Sequence, residues 1–307
     1  MNNSSNKYFF GKEFNISKQE SGFILYQDDM GEIILPKPNL LGDHQLYNIS
    51  TSIAASRKMF NVKDQHIKKG ITKIELKGRL QELTSGKLKE ISGQNRLIID
   101  GGHNESSSIS YSLKSILNQA GYKCNLYTSP HLQSFTERFI FDDEEIKEEQ
   151  LVELLNDIEK ILGNDNATLF EILTCAFLKY AENYKENINI VEAGLFFQFD
   201  STNVFKNNLM SLIGVIHTDH LQWLQNKTID GIIHEKTSKL LNSNIFINRQ
   251  LNEETRVKIE KAIINNSSNK FFFGKDFNIS KQENGFIHYQ DDMGEIILPE
   301  PNLLGDH

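Results

Sequence analysis

Proline is scarce in this chain of 307 residues, at five, and so are cysteine, at two, and tryptophan, at one. Two cysteines are too few for a disulfide-framed secreted scaffold. Both, Cys124 and Cys175, lie in apolar runs, so the expectation is two buried free thiols in a reducing compartment. No apolar run is long enough to span a bilayer. The first residues, MNNSSNKYFF, lack the pattern of a signal peptide, and the expected location is the cytoplasm. Positive charge is not in excess either. Lys and Arg number 33 against 41 Asp and Glu, a net charge of −8, which gives no footprint for nucleic acid or for an anionic membrane. Several short motifs are missing as well: the triphosphate loop G-x-x-x-x-G-K-[ST], G-x-S-x-G, H-E-x-x-H and paired C-x-x-C.

Hydrophobic residues make up 38% of the chain, and 20 phenylalanines supply a core. The length suits one large or two ordinary domains. Organisation centres on residues 96–132. Arg96 to Asp100 reads as a strand ending in Asp100-Gly101-Gly102, which is turn chemistry. Ile109, Leu113, Ile116 and Leu117 then recur at helical spacing until Ala120-Gly121. Leu126 and Tyr127 close a second strand, followed by the loop Thr128-Ser129-Pro130-His131. Strands alternating with helices predict an α/β fold with a doubly wound, mostly parallel sheet, whose ligands bind beyond the carboxyl ends of the strands.

The rest of the chain continues the alternation. Short strands are expected at 8–10 and 13–16. Residues 22–26 and 32–35 flank Asp28-Asp29-Met30-Gly31 as a small β-hairpin appendage. A helix from His44 carries Leu46, Ile49, Ile53 and Ala54 on one face. Arg79 to Leu83 reads as a strand, Phe135 to Phe141 as extended and Asp142 to Leu162 as a helix. Thr168 is the expected cap of the next helix. Strands are expected at 188–191, 212–216 and 244–247, and helices at 228–240 and after Leu251-Asn252.

Residues 2–44 recur as 265–307 with five differences: Tyr8/Phe271, Glu13/Asp276, Ser21/Asn284, Leu25/His288 and Lys37/Glu300. Two copies at opposite ends are not a solenoid, which needs several short units in a row. They read as a tandem array or permuted gene started in mid-unit. One fold is expected to hold only one copy, leaving the other redundant, loosely attached or exchanged with another molecule.

Polar residues past strand ends are the candidates for chemistry. Glu192 and His220 could hold a divalent metal together with phosphate and water; each is equally an ordinary loop residue. Lys236, on a helix, could assist a phosphate or be a solvated surface charge. Asp100 could take ribose hydroxyls, His103 and Asn104 phosphate oxygens, and Arg79 a phosphate. The plain alternatives are a turn and a surface charge. His131 is either a site residue or a loop histidine.

In combination, several segments are specific. YTSPHLQSFTERF (127–139), LFEILT (169–174), VEAGLFFQFDSTNVF (191–205), DHLQWL (219–224), HEKTSKL (234–240), LLGDHQLYN (40–48), KGRLQEL (77–83) and IIDGGHN (98–104) resemble the folylpolyglutamate synthase and dihydrofolate synthase family. These are Mur-type ATP-dependent ligases with a central ATPase domain and a C-terminal Rossmann-like domain. The resemblance implies a ligase of folate metabolism that uses ATP and Mg2+. It would make an acyl phosphate on dihydropteroate or a folate such as tetrahydrofolate, which the amine of L-glutamate then attacks. It implies Glu192 and His220 as metal ligands and Lys236 as a catalytic lysine, carbamylated to support a second metal. Asn48 would lie near adenine, Arg79 near phosphates, Asp100 at the ribose and His103 at the nucleotide. Ser129 and the catalytic candidate His131 would line the folate cleft.

This sequence also departs from the family pattern. The GTNGKGS loop is replaced by Gly101 to Ser108, Phe196-Phe197-Gln198 stands in place of Gly-Gly-Arg, and IIDGGHN, a C-terminal-domain motif, precedes the central helix. The halves therefore read as permuted. Residues 1–74 would end the ATPase-like domain, 75–105 would be a C-terminal-domain fragment, 106–263 the ATPase-like domain without its phosphate loop, and 264–307 the second repeat copy. Activity is expected to be impaired. The alternative is a non-catalytic remnant or assembly module of the same fold. A monomer is expected, with a swapped oligomer as the state the repeat would allow.

Overall fold

A computed structural model describes residues 17–18, 24–29, 31–35, 43–74, 81–82, 98–99, 105–131, 133–281 and 287–298. The strands expected at 8–10 and 13–16, and the candidates Arg79, Asp100 and His103, lie outside the described residues. The chain divides into two compact units. The first comprises 1–120, 246–248 and 271–307, the second 121–245 and 249–270.

The first unit begins with β1 (Ser17–Lys18), β2 (Ile24–Asp29) and β3 (Gly31–Leu35). Helix α1 (Asp43–Met59) follows, with Ile49, Ile53 and Ala54 buried as the periodicity predicts. After α2 (Asp64–Ile71), the two-residue strands β4 (Gln81–Glu82) and β5 (Ile98–Ile99) pair antiparallel. Helix α3 (Glu105–Gln119) buries Ile109, Leu113, Ile116 and Leu117. Its backbone comes so close to α2 that a Cβ on Gly70 would stand 2.6 Å from the Ile116 Cα. The Ser115 hydroxyl donates to the Gly70 carbonyl at 2.5 Å, and the Ser52 hydroxyl to the Ile109 carbonyl at 2.8 Å. Gly121, with φ +89°, turns the chain out of α3.

The second unit opens with β6 (Cys124–Tyr127), then β7 (Phe139–Phe141) and β8 (Glu144–Glu145). The segment expected to be extended from Phe135 is instead a 3-10 turn over Phe135–Arg138. The Ser134 hydroxyl accepts from the Thr136 amide, and the Glu137 carboxylate accepts from the Ser134 amide. The helix expected from Asp142 begins later, as α4 (Glu148–Leu162). Asp142 and Asp143, at φ 51° and 75°, form the turn between β7 and β8. The acidic run there makes a hairpin, not a first helical turn. Helix α5 (Leu169–Ala181) starts at the cap predicted at Thr168, and the structure makes it a capping box: the Thr168 hydroxyl accepts from the Glu171 amide and the Glu171 carboxylate accepts from the Thr168 amide. Strand β9 (Ile188–Val191) comes next.

The sheet order is β8-β7-β6-β9, and β6 and β9 run parallel. Packed on it is an aromatic core in which Phe177 stacks against Tyr127 and Phe141. Both cysteines are free, but only Cys124 is buried. Cys175 is exposed, because Leu173, Ala176 and Phe177 define the inward face of α5. An apolar run on a helix does not fix which way each member points.

The chain continues with β10 (Met210–Ile213), α6 (Ile229–Thr237), β11 (Asn244–Ile247), α7 (Glu253–Ala262) and β12 (Asn269–Phe272). Strands β10, β11 and β12 form a three-stranded sheet in that order. Asn252 caps α7 by accepting from the Thr255 amide.

The last strands, β13 (Phe277–Lys281), β14 (Ile287–Asp291) and β15 (Gly294–Leu298), belong to the second repeat copy and to the first unit. They join β1, β2 and β3 in one six-stranded sheet. Both copies contribute strands to it, and β3 and β15 claim the same place on β2 in one register. Pairing satisfies backbone groups that an edge would leave open. α1 braces this sheet, with Arg57 donating to the Met293 carbonyl at 3.2 Å and Lys58 paired with Asp292.

Candidate active site

Parallel pairing of β6 and β9 puts both carboxyl ends on one edge. Tyr127 is opposite Val191, and the Glu192 amide continues the ladder to the Tyr127 carbonyl at 2.9 Å. The residues after each strand therefore meet. The Ser129 amide donates to Glu192 Oε2 at 3.0 Å, and Glu192 is only 4% exposed. The Ser129–Pro130 bond is cis. A buried carboxylate needs such donors, since burial without them would cost several kcal/mol.

Glu192 also belongs to a charge cluster. Lys236, on α6, is half-buried, and burial draws its pKa down from the usual lysine value. Asp200, Asp219 and Glu192 pull the other way. Asp200 is fixed by the Gly194 amide at 3.1 Å and the Thr202 amide at 3.0 Å. A Cβ at position 194 would lie 2.7 Å from both Asp200 Oδ2 and the Phe170 ring, so a larger residue there would have to displace one of those side chains. The loop after Gly194 is tied to α6, where the Gln198 amide donates to the Glu235 carbonyl at 2.9 Å. Beside it is a cavity of about 660 Å³ whose walls include Phe196, Phe199, Trp223, His234, Asp200 and Glu235.

The other candidates are placed differently. His220 is exposed, with φ 61°, at the start of the turn Leu221–Trp223. His131 does not reach Glu192 through any bond described; its Nδ1 accepts from Arg138 Nε at 2.9 Å and its ring packs on Phe135 at 4.2 Å. Burial and then the Arg138 charge hold its pKa below the usual histidine value, against Glu137. Asn48 is in the first unit, where its amide donates to Gln45 and its carbonyl accepts from Asn248 at 2.9 Å. The structure thus gathers Ser129, Glu192 and Lys236. Asp200 and Asp219, whose charges act on Lys236, were not singled out from the sequence, although they stand within the segments that carry the family resemblance. A lone loop aspartate has no spacing that marks it.

Does this donor set fit a divalent metal? A buried, hydrogen-bonded carboxylate is a hard oxygen ligand of the right kind. Among the described residues, no group of three or more His, Cys, Asp and Glu is placed to hold a metal ion. Glu192 has the chemistry of one such ligand, and phosphate oxygens and water could fill positions that protein groups leave open.

No family model matches the chain. Curated proteins do. Over 145 residues it is 36% identical to the Bacillus subtilis dihydrofolate synthase/folylpolyglutamate synthase, covering 45% of this chain and 33% of that protein. Over 225 residues it is 26% identical to the Lacticaseibacillus casei folylpolyglutamate synthase, covering 70% of this chain and 52% of the relative. Over these stretches the chain is similar to folylpolyglutamate and dihydrofolate synthases. An Escherichia coli FolC structure in complex with ADP, without folate substrate, superposes with a TM-score of 0.57 at 25% identity, covering 64% of this chain and 46% of that one. The fold class is the α/β class of these enzymes. The chain spans between a third and about half of the length of these relatives. No helix among the described residues is long and apolar enough to cross a membrane.

Proposed function

We propose that the edge formed by β6 and β9 is the site of an acid–amino-acid ligase. It would use ATP and a divalent cation, Mg2+ in the family, to join L-glutamate to a dihydropteroate or folate carboxylate. The observation that supports this best is the buried Glu192, held by the Ser129 amide beside the Lys236 cluster. Glu192 would hold the metal, with His220 a second candidate ligand. When bound, the metal would neutralise charge on the transferring phosphoryl oxygens.

This chain's own groups have separate tasks. The Ser129 amide orients the carboxylate of Glu192. The lowered pKa of Lys236 raises the fraction of free amine, the form that can be carbamylated. The aromatic walls of the neighbouring cavity suit a flat ring, and its position beside Asp200 suits a substrate that must meet the cluster. The nucleotide contacts expected of Asn48, Arg79, Asp100 and His103 belong to this proposal as well. His131 would act by fixing Arg138 and the 128–131 loop. Triphosphate binding is weakened because the phosphate loop and its lysine are absent from the sequence.

Calorimetric titration with a non-hydrolysable ATP analogue and Mg2+ tests the reading. Micromolar binding that is abolished by Glu192→Ala, and reduced by His220→Ala, is the expected result. A ligation assay with glutamate and dihydropteroate then measures how much activity is left. Absence of binding would leave only the non-catalytic remnant.

A further inference from the structure

The hairpin that occurs twice in the sequence keeps one register in both places. Copy two pairs Ile287 with Leu298 and Asp291 with Gly294. Copy one pairs Ile24 with Leu35 and Asp28 with Gly31, the same positions in the repeat. The preceding ladder agrees as well: Ser280↔His288 and Lys281↔Ile287 in copy two answer to Ser17↔Leu25 and Lys18↔Ile24 in copy one.

The contact between the copies follows the same register. Along β2, Leu25, Tyr26 and Gln27 pair with Ile297, Ile296 and Glu295 of β15. Copy two gives these three residues of β15 to its own His288, Tyr289 and Gln290, the counterparts of Leu25, Tyr26 and Gln27. Strand β15 therefore lies on β2 in the register that belongs to β3. The two strands have one sequence, GEIIL, and a ladder is made by the backbone. The place on β2 cannot distinguish one from the other. The same holds for α1, because Asp291, Asp292 and Met293, which Arg57 and Lys58 bind, recur as Asp28, Asp29 and Met30.

We propose that the two copies are interchangeable docking elements and that the partner they fit is a second copy of this chain. The β15 of one molecule takes, on the β2 of another, the place it takes in its own. No new contact is needed, as in domain swapping, where one element is exchanged between identical chains. Dilution favours the internal pairing, and refolding at high protein concentration favours the external one.

Cysteine trapping in the full-length chain tests this, in a Cys175→Ser background since that thiol is exposed. Tyr26 and Ile296 are directly opposite in the inter-copy ladder. One preparation carries Tyr26→Cys alone and the other Ile296→Cys alone; a third carries both. After co-refolding at high concentration and mild oxidation, the two single variants should give a disulfide-linked heterodimer. It should be in several-fold excess over either homodimer. The chain with both substitutions should crosslink within itself at low concentration. An internal crosslink without the heterodimer would overturn the exchange. Failure of both would overturn the ladder on which it rests.

Discussion

Strands β6 and β9 lie side by side and run the same way; β2 and β15 lie side by side and run in opposite ways. The difference has chemical consequences. A parallel pair needs a long crossover, so it joins residues far apart in the chain at one edge. Ser129 and Glu192 meet for that reason. An antiparallel pair can be closed by a short turn, and its ladder reads little of the side chains. It makes no site, but it lets one hairpin stand in for another. The interiors differ too. The second unit is filled by rings, with Tyr127, Phe139 and Phe177 fully buried. The repeated sheet buries polar groups: His288, Gln290 and Glu295 are all less than 8% exposed.

The largest effect that could break this comparison is in the ring core. Phe177→Ala should cost about 3–5 kcal/mol in urea unfolding. Tyr289→Ala, a truncation of a fully buried ring in the repeated sheet, should cost well under that, because copy one carries Tyr26 at the equivalent place. Equal losses would show that the copies do not substitute for one another.

A smaller effect separates the copies by pH. His288 Nε2 is 3.1 Å from Glu295 Oε2 while Nδ1 has no hydrogen-bond partner among the described residues, and burial pushes its pKa from 6.5 down to about 2. The folded state binds fewer protons than the unfolded one between these values. Stability is therefore full above pH 6.5 and falls as pH drops towards about 2. Copy one has Leu25 at this position. His288→Leu should flatten that acid slope in melting experiments run from neutral to acid pH, with little change at neutrality. An unchanged slope would place the acid sensitivity elsewhere.

The smallest effect sharpens the second unit. Thr168→Ala removes the cap of α5 and should cost about 1 kcal/mol by urea unfolding. A loss of 3 kcal/mol or more would mean that Thr168 supports more than the helix end.

Local rules made much of this legible. Helix α3 follows from Ile109, Leu113, Ile116 and Leu117, and α5 and α7 start at Thr168 and Asn252, because periodicity and capping act within a few residues. Glu192 stood out because a strand run ends just before it. Errors arose where local signals compete. Acidic residues at Asp142–Asp143 suit a helix start and a turn alike, and the turn prevails where β7 has to meet β8. The facing of Cys175 and the bond of His131 to Arg138 depended on neighbours that spacing does not reveal.

By itself the sequence determined much of the alternation of strands and helices, the terminal repeat and the resemblance to the folate ligases, and it holds no G-x-x-x-x-G-K-[ST] run; all of these are written in adjacent residues. Only the tertiary structure decided that Ser129 meets Glu192, that the charges of Asp200 and Asp219 act on Lys236, and that strands of both repeat copies enter one sheet. Those contacts join residues distant along the chain. Their energies depend on burial and on backbone pairing, which exist only once the chain has closed on itself.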